Sequence, residues 1–152
     1  VCDYLLIDAP AGISRDGIIP LAVADDVILI VNPELSSIVD ALKTKILTEV
    51  IGGHVFGVII NRAGIDKSEV MVQKMEKVLG VRVIGTIPED PNIRKAASAK
   101  TPVVIKYPGS PASVAIRNLA GELAGIPMEQ RGGKSQEKFI ERFSKVLFRG
   151  KK

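Results

Sequence analysis

"DVILIVNPELSSIVDALK", residues 26–43, decides the fold. Its opening seven residues, 26–32, are almost continuously aliphatic and β-branched. A strand with one wet face alternates apolar with polar, so an unbroken run marks a strand buried on both faces of a parallel sheet. A helix is predicted to follow over 35–51, with Ser36 or Ser37 placed to cap it. Working outward, "VFGVIIN" (55–61) and "VRVIGTI" (81–87) have the same strand character, and "YLLIDA" (4–9) and "PVVIK" (102–106) bring the predicted strands to five. Further helices are predicted over 14–24, 68–80, 91–99 and 111–125, with Ser14, Ser68 and Ser110 at their starts. In the 68–80 segment Val70, Met71, Met75 and Val78 recur at helical spacing, and the two methionines read as core filler rather than a cofactor contact. Strand then helix, repeated, predicts an α/β fold: part of a doubly wound parallel sheet in three α/β/α layers. No short internal repeat occurs.

With 152 residues, 46% of them apolar and 25% charged, the chain is large enough for one domain with a hydrophobic core. Its single cysteine, Cys2, has no internal disulfide partner. No run of 18 apolar residues and no signal-peptide pattern is present. A start at Val1, directly before a predicted strand, suits a fragment, a processed chain or a valine-type start codon.

The net charge of +4 is unevenly distributed. Of the 21 Lys and Arg, seven lie in 134–152, and of the 17 Asp and Glu only Glu137 and Glu141 do; the rest of the chain carries 14 basic and 15 acidic residues. Three of the four phenylalanines, Phe139, Phe143 and Phe148, also fall there. The predicted organisation is therefore a body over 1–125, a polar linker over 126–135 with Pro127 and the Gly132-Gly133 pair, and a helix over 136–152. In that helix Phe139, Ile140, Phe143, Val146 and Leu147 fall on one arc, while Lys138, Arg142, Lys145 and Arg149 gather on the opposite side. That is the pattern of a helix lying in an anionic membrane surface. Phe148 falls off the arc, and docking of this helix on the body or a partner is the competing reading.

In an open parallel sheet, ligands sit beyond the carboxyl ends of the strands. Asp8 closes the first predicted strand, Asn61-Arg62 the third and "PED" (Pro88, Glu89, Asp90) the fourth. Asp8 suits either a magnesium site, with the Gly12 N–H free near a phosphate, or the cap of a tight turn before Ser14. Asn61 carries both a donor and an acceptor, enough to read an adenine edge, or serves turn chemistry alone. "IPEDPNI" equally suits a plain helix start. No phosphate-cradling G-x-x-x-x-G-K-[ST] loop is present, nor its Lys-Gly-Gly variant. His54 and Cys2 have no partner at catalytic or metal-ligand spacing, so nothing makes a hydrolytic triad or a zinc site.

In their order and spacing, "DYLLIDAPAGIS", "ADDVILIVNPELSSIVDALK", "GVIINRAG" and "VIGTIPEDPNIRKAASAKTPVV" resemble the MinD/ParA family of deviant P-loop ATPases, nearest its division-site MinD branch. The resemblance runs from about residue 3 to 125, and the amphipathic tail extends it to 152. It implies that Asp8 is the Walker B aspartate, that 9–12 form the switch II turn, and that Asn61 and Arg62 meet the adenine with Pro88, Glu89 and Asp90 on its other side. It implies ATP and magnesium as cofactors in the complete family member, a homodimer, division-regulator partners, and a cytoplasmic protein held peripherally on the inner face of the cell membrane. The family's P-loop, signature lysine and switch I precede the Walker B strand, where this sequence begins. Weak or no nucleotide binding and no hydrolysis are therefore expected of this chain alone. The alternatives are a non-enzymatic module that binds a membrane or a partner, and a ParA-like chromosome- or flagellum-positioning relative. Nucleic acid is not expected as a partner, because phenylalanines interleave the basic residues of the tail.

Overall fold

A computed structural model describes residues 3–10, 14–64 and 69–126. The chain divides into two compact units, with the boundary after Glu89.

The first unit holds, in order, α1 (Arg15–Val23), β1 (Val27–Val31), α2 (Leu35–Val50), β2 (Val55–Ala63), α3 (Glu69–Leu79) and β3 (Val83–Pro88). The three strands form one parallel sheet in the order β1-β2-β3, with Leu29 beside Val58, Val31 beside Ile60, and Ile60 beside Thr86. The central position of β2 explains why Val58 and Ile60 are fully buried. Helices α2 and α3 pack on each other and on the strands, and Ala41, Met75 and Leu79 join Val27, Leu29, Val31, Val58 and Ile60 in one core. Burying each such Val, Leu or Ile side chain contributes about 1.5–3 kcal/mol before the cost of ordering it. Parallel strands require crossovers, and two successive crossovers in the same direction put both helices on the same face. The opposite face of β1 carries Ile30, 57% exposed.

Along α3, Met71, Met75 and Leu79 follow the four-residue spacing of one face; Met75 and Leu79 are buried and Met71 packs against the core. Val78 does not belong to that core. It stands about 100° round the helix from Leu79 and is 54% exposed. At the amino ends of the strands, His54 Nδ1 lies 2.7 Å from Asp26 Oδ1, and the Val27 N–H donates to the His54 carbonyl.

The second unit contributes α4 (Pro91–Ser98), α5 (Val103–Lys106) and α6 (Pro111–Leu123). Both α4 and α6 begin with a capping side chain followed by proline, which has no N–H to leave unpaired. Asp90 Oδ1 accepts from the Asn92 N–H and Ser110 Oγ accepts from the Ser113 N–H.

Two predicted strands are corrected. Residues 4–9 form no strand, and Leu5 and Leu6 are 78% and 84% exposed. Their apolar content suits a strand, but β-structure requires a neighbour to complete its hydrogen bonds, and among the described residues no strand pairs with them. Residues 102–106 are likewise not a strand. Val103–Lys106 makes one helical turn in which Ile105 and Lys106 donate to the Pro102 carbonyl, flanked by α4 and α6. β-branched propensity yields where the surroundings offer helices to pack on and no strand edge. Of the helix caps, Ser14 makes no side-chain cap bond, and Glu34 stands at the cap position of α2. The predicted linker and amphipathic helix, 126–135 and 136–152, lie outside the described residues from 127 onward.

Candidate functional site

The carboxyl edge of the sheet gathers polar residues from three strand ends. β1 ends at Val31, and Asn32 follows it; β2 carries Asn61 and Arg62 in its last turn of pleat; Glu89 follows β3. Their proximity follows from the parallel order, since every strand of a parallel sheet ends on the same side. Asn61 Nδ2 donates to Asn32 Oδ1 at 3.4 Å. Arg62 Nε donates to Glu89 Oε2 at 2.7 Å, and the Glu89 N–H donates to the Ala63 carbonyl. The edge is thus tied across both strand gaps by side chains.

Arg62 has φ +53°, the left-handed region that non-glycine residues rarely occupy. The register of β2 against β3 shifts between Ile60 and Ala63, so the strand leaves its regular path where the two polar residues stand. Hydrogen bonding to Glu89, then its charge, raises the Arg62 guanidinium above its ordinary value, and the Glu34 carboxylate adds to the effect. Arg62 therefore stays charged throughout the accessible pH range.

Asp90 opens the second unit with a different task. It is only 4% exposed; Oδ1 accepts from the Asn92 N–H at 2.9 Å and Oδ2 from the Ala112 N–H at 3.2 Å. The bond from Asn92 holds its carboxyl below the usual carboxylate range, with Ala112 and Ser110 adding to that effect and burial opposing it. Both oxygens are engaged at the amino ends of α4 and α6, where a negative charge is favoured.

The other predicted positions are less developed. Pro88 is buried at the end of β3, paired with Ala63. Asp8 is exposed, and Gly12 lies outside the described residues. Among the described residues no group of three His, Cys, Asp or Glu side chains could hold a metal ion. Magnesium keeps several waters and takes only one or two carboxylates beside substrate phosphates, so a single carboxylate such as Asp8 is compatible with that ion. Asn61 and Arg62 offer an amide and a guanidinium, groups able to hydrogen-bond the edge of a heterocycle. Lys138, Phe139, Ile140, Arg142, Phe143, Lys145, Val146 and Leu147 all lie outside the described residues. Among the described residues no helix is long and apolar enough to cross a membrane.

Sequence reasoning passed over Asn32 as a site residue. The signal was available: β1 and β2 each end their apolar run in asparagine, at 32 and 61. Parallel neighbours with matching ends place those amides side by side.

Comparison with known proteins places this geometry in a family. A family model described as ParA: NUBPL iron-transfer P-loop NTPase matches residues 1–124. An uncharacterized ATP-binding protein of Methanocaldococcus jannaschii is 46% identical over 146 residues, covering 96% of this chain and 55% of that protein. A putative septum site-determining protein MinD of Nephroselmis olivacea is 33% identical over 128 residues, covering 82% of this chain and 47% of that one. Among solved structures, the septum site-determining protein MinD of Pyrococcus horikoshii, complexed with Mg-ADP, superposes with a TM-score of 0.70 at 31% identity, over 80% of this chain and 50% of that one. The MinC:MinD cell division protein complex of Aquifex aeolicus gives a TM-score of 0.71 at 33% identity, over 83% and 53%. The chain spans about half the length of the relatives it matches.

Proposed function

The chain belongs to the ParA family of P-loop NTPases, and from that premise we propose that it forms the base-binding half of a MinD-like ATPase that positions the division site. The observation that carries this reading is the carboxyl edge of the sheet, where Asn61 and Arg62 stand together, held by Asn32 and Glu89. Asn61 would read the base edge and Arg62 would lie beside it, with Pro88, Glu89 and Asp90 framing the far side. ATP with magnesium would supply the transferable phosphoryl group. Asp8 would serve as the Walker B aspartate and Gly12 would leave its N–H near the terminal phosphate. Phosphate-cradling N–H groups dominate nucleotide affinity in such folds, so this half alone binds weakly and does not turn over.

The test compares the 152-residue chain with a fusion carrying the amino-terminal half of the M. jannaschii relative ahead of Val1. The chain alone should show no hydrolysis above a contaminant-controlled background. The fusion should bind ATP and lose affinity on Asn61→Ala or Arg62→Ala. Turnover by the chain alone, abolished by Asp8→Ala, would overturn the reading, as would ATP affinity in the fusion indifferent to both edge substitutions.

The complete protein would cycle between an ATP-bound homodimer on the membrane and a free form in the cytoplasm, engaging division-regulator proteins. Residues 136–152 would supply the membrane contact. One short helix binds reversibly, so pairing two of them through dimerisation supplies the switch. A peptide covering 134–152 should sediment with liposomes only when anionic lipid is present. Equal sedimentation of its Phe143→Glu form would mean that the apolar arc does not insert.

A further inference from the structure

We propose that Asn32 sets the base selectivity of this edge by holding the Asn61 amide with its carbonyl oxygen presented to the ligand, so that a purine with a 6-amino group is taken over one with a 6-oxo group. The inference rests on the nucleotide reading above and deepens it.

Asn32 is itself firmly placed. Its N–H donates to Ser37 Oγ at 3.0 Å, its carbonyl accepts from the Glu34 N–H at 2.8 Å, and its side-chain Oδ1 accepts from Asn61 Nδ2 at 3.4 Å. Ser37 lies in the first turn of α2, so helix start, strand end and side-chain amide form one connected unit. Asn61 is fixed from the other direction, being part of β2 at the centre of the sheet. A carboxamide is planar, with its oxygen and its NH₂ on opposite corners. Engaging the NH₂ with Asn32 therefore leaves the Asn61 oxygen as an acceptor on the side away from Asn32. The 6-amino group of adenine can donate to that acceptor, whereas the 6-oxo group of hypoxanthine or guanine would set oxygen against oxygen. A site built to pair with one hydrogen-bonding group rejects the analogue that lacks it far better than an apolar pocket rejects a size difference. Asn32 never touches the base in this account. It is a positioning residue that decides which end of Asn61 does.

ATP and ITP differ only in the 6-substituent and in the proton that the 6-oxo ring carries on N1, which makes them the discriminating pair. The experiment titrates the isotope-labelled fusion described above with each, magnesium chloride present in both, following the Asn61 side-chain amide by NMR. ATP should move that signal with an apparent Kd about tenfold or more below that for ITP. Asn32→Asp keeps an acceptor and adds no donor, so the ratio should persist even if its charge weakens both nucleotides. Asn32→Ala should bring the ratio close to one and move the Asn61 amide signal in the absence of nucleotide, with the backbone spectrum otherwise retained. An unchanged ratio in Asn32→Ala, or an Asn61 amide indifferent to that substitution, would overturn the proposal. Equal affinities for ATP and ITP in the unsubstituted fusion would overturn the selectivity and leave the nucleotide reading standing. If neither nucleotide moved Asn61, Arg62 or Glu89 in the fusion, the nucleotide reading would fail and this inference with it.

Discussion

Residues 4–7 and Val27–Val31 are both short aliphatic runs, and they meet opposite fates. In the first, Leu5 and Leu6 stand in solvent; in the second, Val31 is fully buried beside Ile60. Composition does not separate them. What separates them is a hydrogen-bonding neighbour: β1 has β2 along one side and α2 over one face, while 4–7 has no paired strand among the described residues. Strand character belongs to a pair of segments, and a sequence run only makes it available.

The contrast can be broken most directly in the core. Ile60→Ala removes a fully buried side chain from the central strand and should cost about 2–5 kcal/mol in urea unfolding. Leu6→Ala should stay within about 0.5 kcal/mol. Similar losses from both would mean that 4–7 is packed in solution and that the two regions do not differ.

A smaller effect is expected where the sheet is tight rather than filled. A Cβ built on Gly57 would lie 2.5 Å from Ile84 Cγ2 on the neighbouring strand, so Gly57→Ala should cost about 1–3 kcal/mol through overpacking. A neutral result by thermal unfolding would mean that β2 and β3 separate easily at that point.

In the helical unit the equivalent of strand pairing is capping. Ser110→Ala should cost about 1 kcal/mol by removing the acceptor for the Ser113 N–H. Asp90 adds a pH signature. Its folded carboxyl titrates below its unfolded value, so its stabilisation is present above pH about 4 and fades as pH falls through the folded value. The stability gap between the unsubstituted chain and Asp90→Asn should therefore narrow below that pH. A gap constant with pH would show that the carboxylate charge is not what holds the two helix ends.

The smallest effect on stability should accompany a clear effect on association. Exposed apolar residues at 4–7, together with Ile30 on the uncovered face of β1, are the kind of surface that draws chains together. Leu5→Ser with Leu6→Ser should reduce self-association in ultracentrifugation while leaving the unfolding midpoint nearly unchanged. A monodisperse monomer before substitution would show that this surface is covered within one chain.

Much of the polar carboxyl edge was legible before any coordinates. Asn61, Arg62 and the Pro88-Glu89 pair were marked by their place after apolar runs, and all lie at the carboxyl edge. Asn32 was not marked, because its importance is a contact to a residue 29 positions away. Asp90 was marked with Pro88 and Glu89 or as a plain helix start, and its oxygens accept from Asn92 and from Ala112, the second of these 22 residues distant. Nothing in a local window states that distance.

The sequence by itself determined the α/β class, the three paired strands and five of the six described helices, because hydrophobic period and capping residues act over a few neighbouring positions. Tertiary structure alone decided that 4–9 goes unpaired, that Val103–Lys106 coils, and that the Asn61 amide engages Asn32. Each of these depends on which distant segment supplies a hydrogen-bonding partner, and that is fixed only when the whole chain closes on itself.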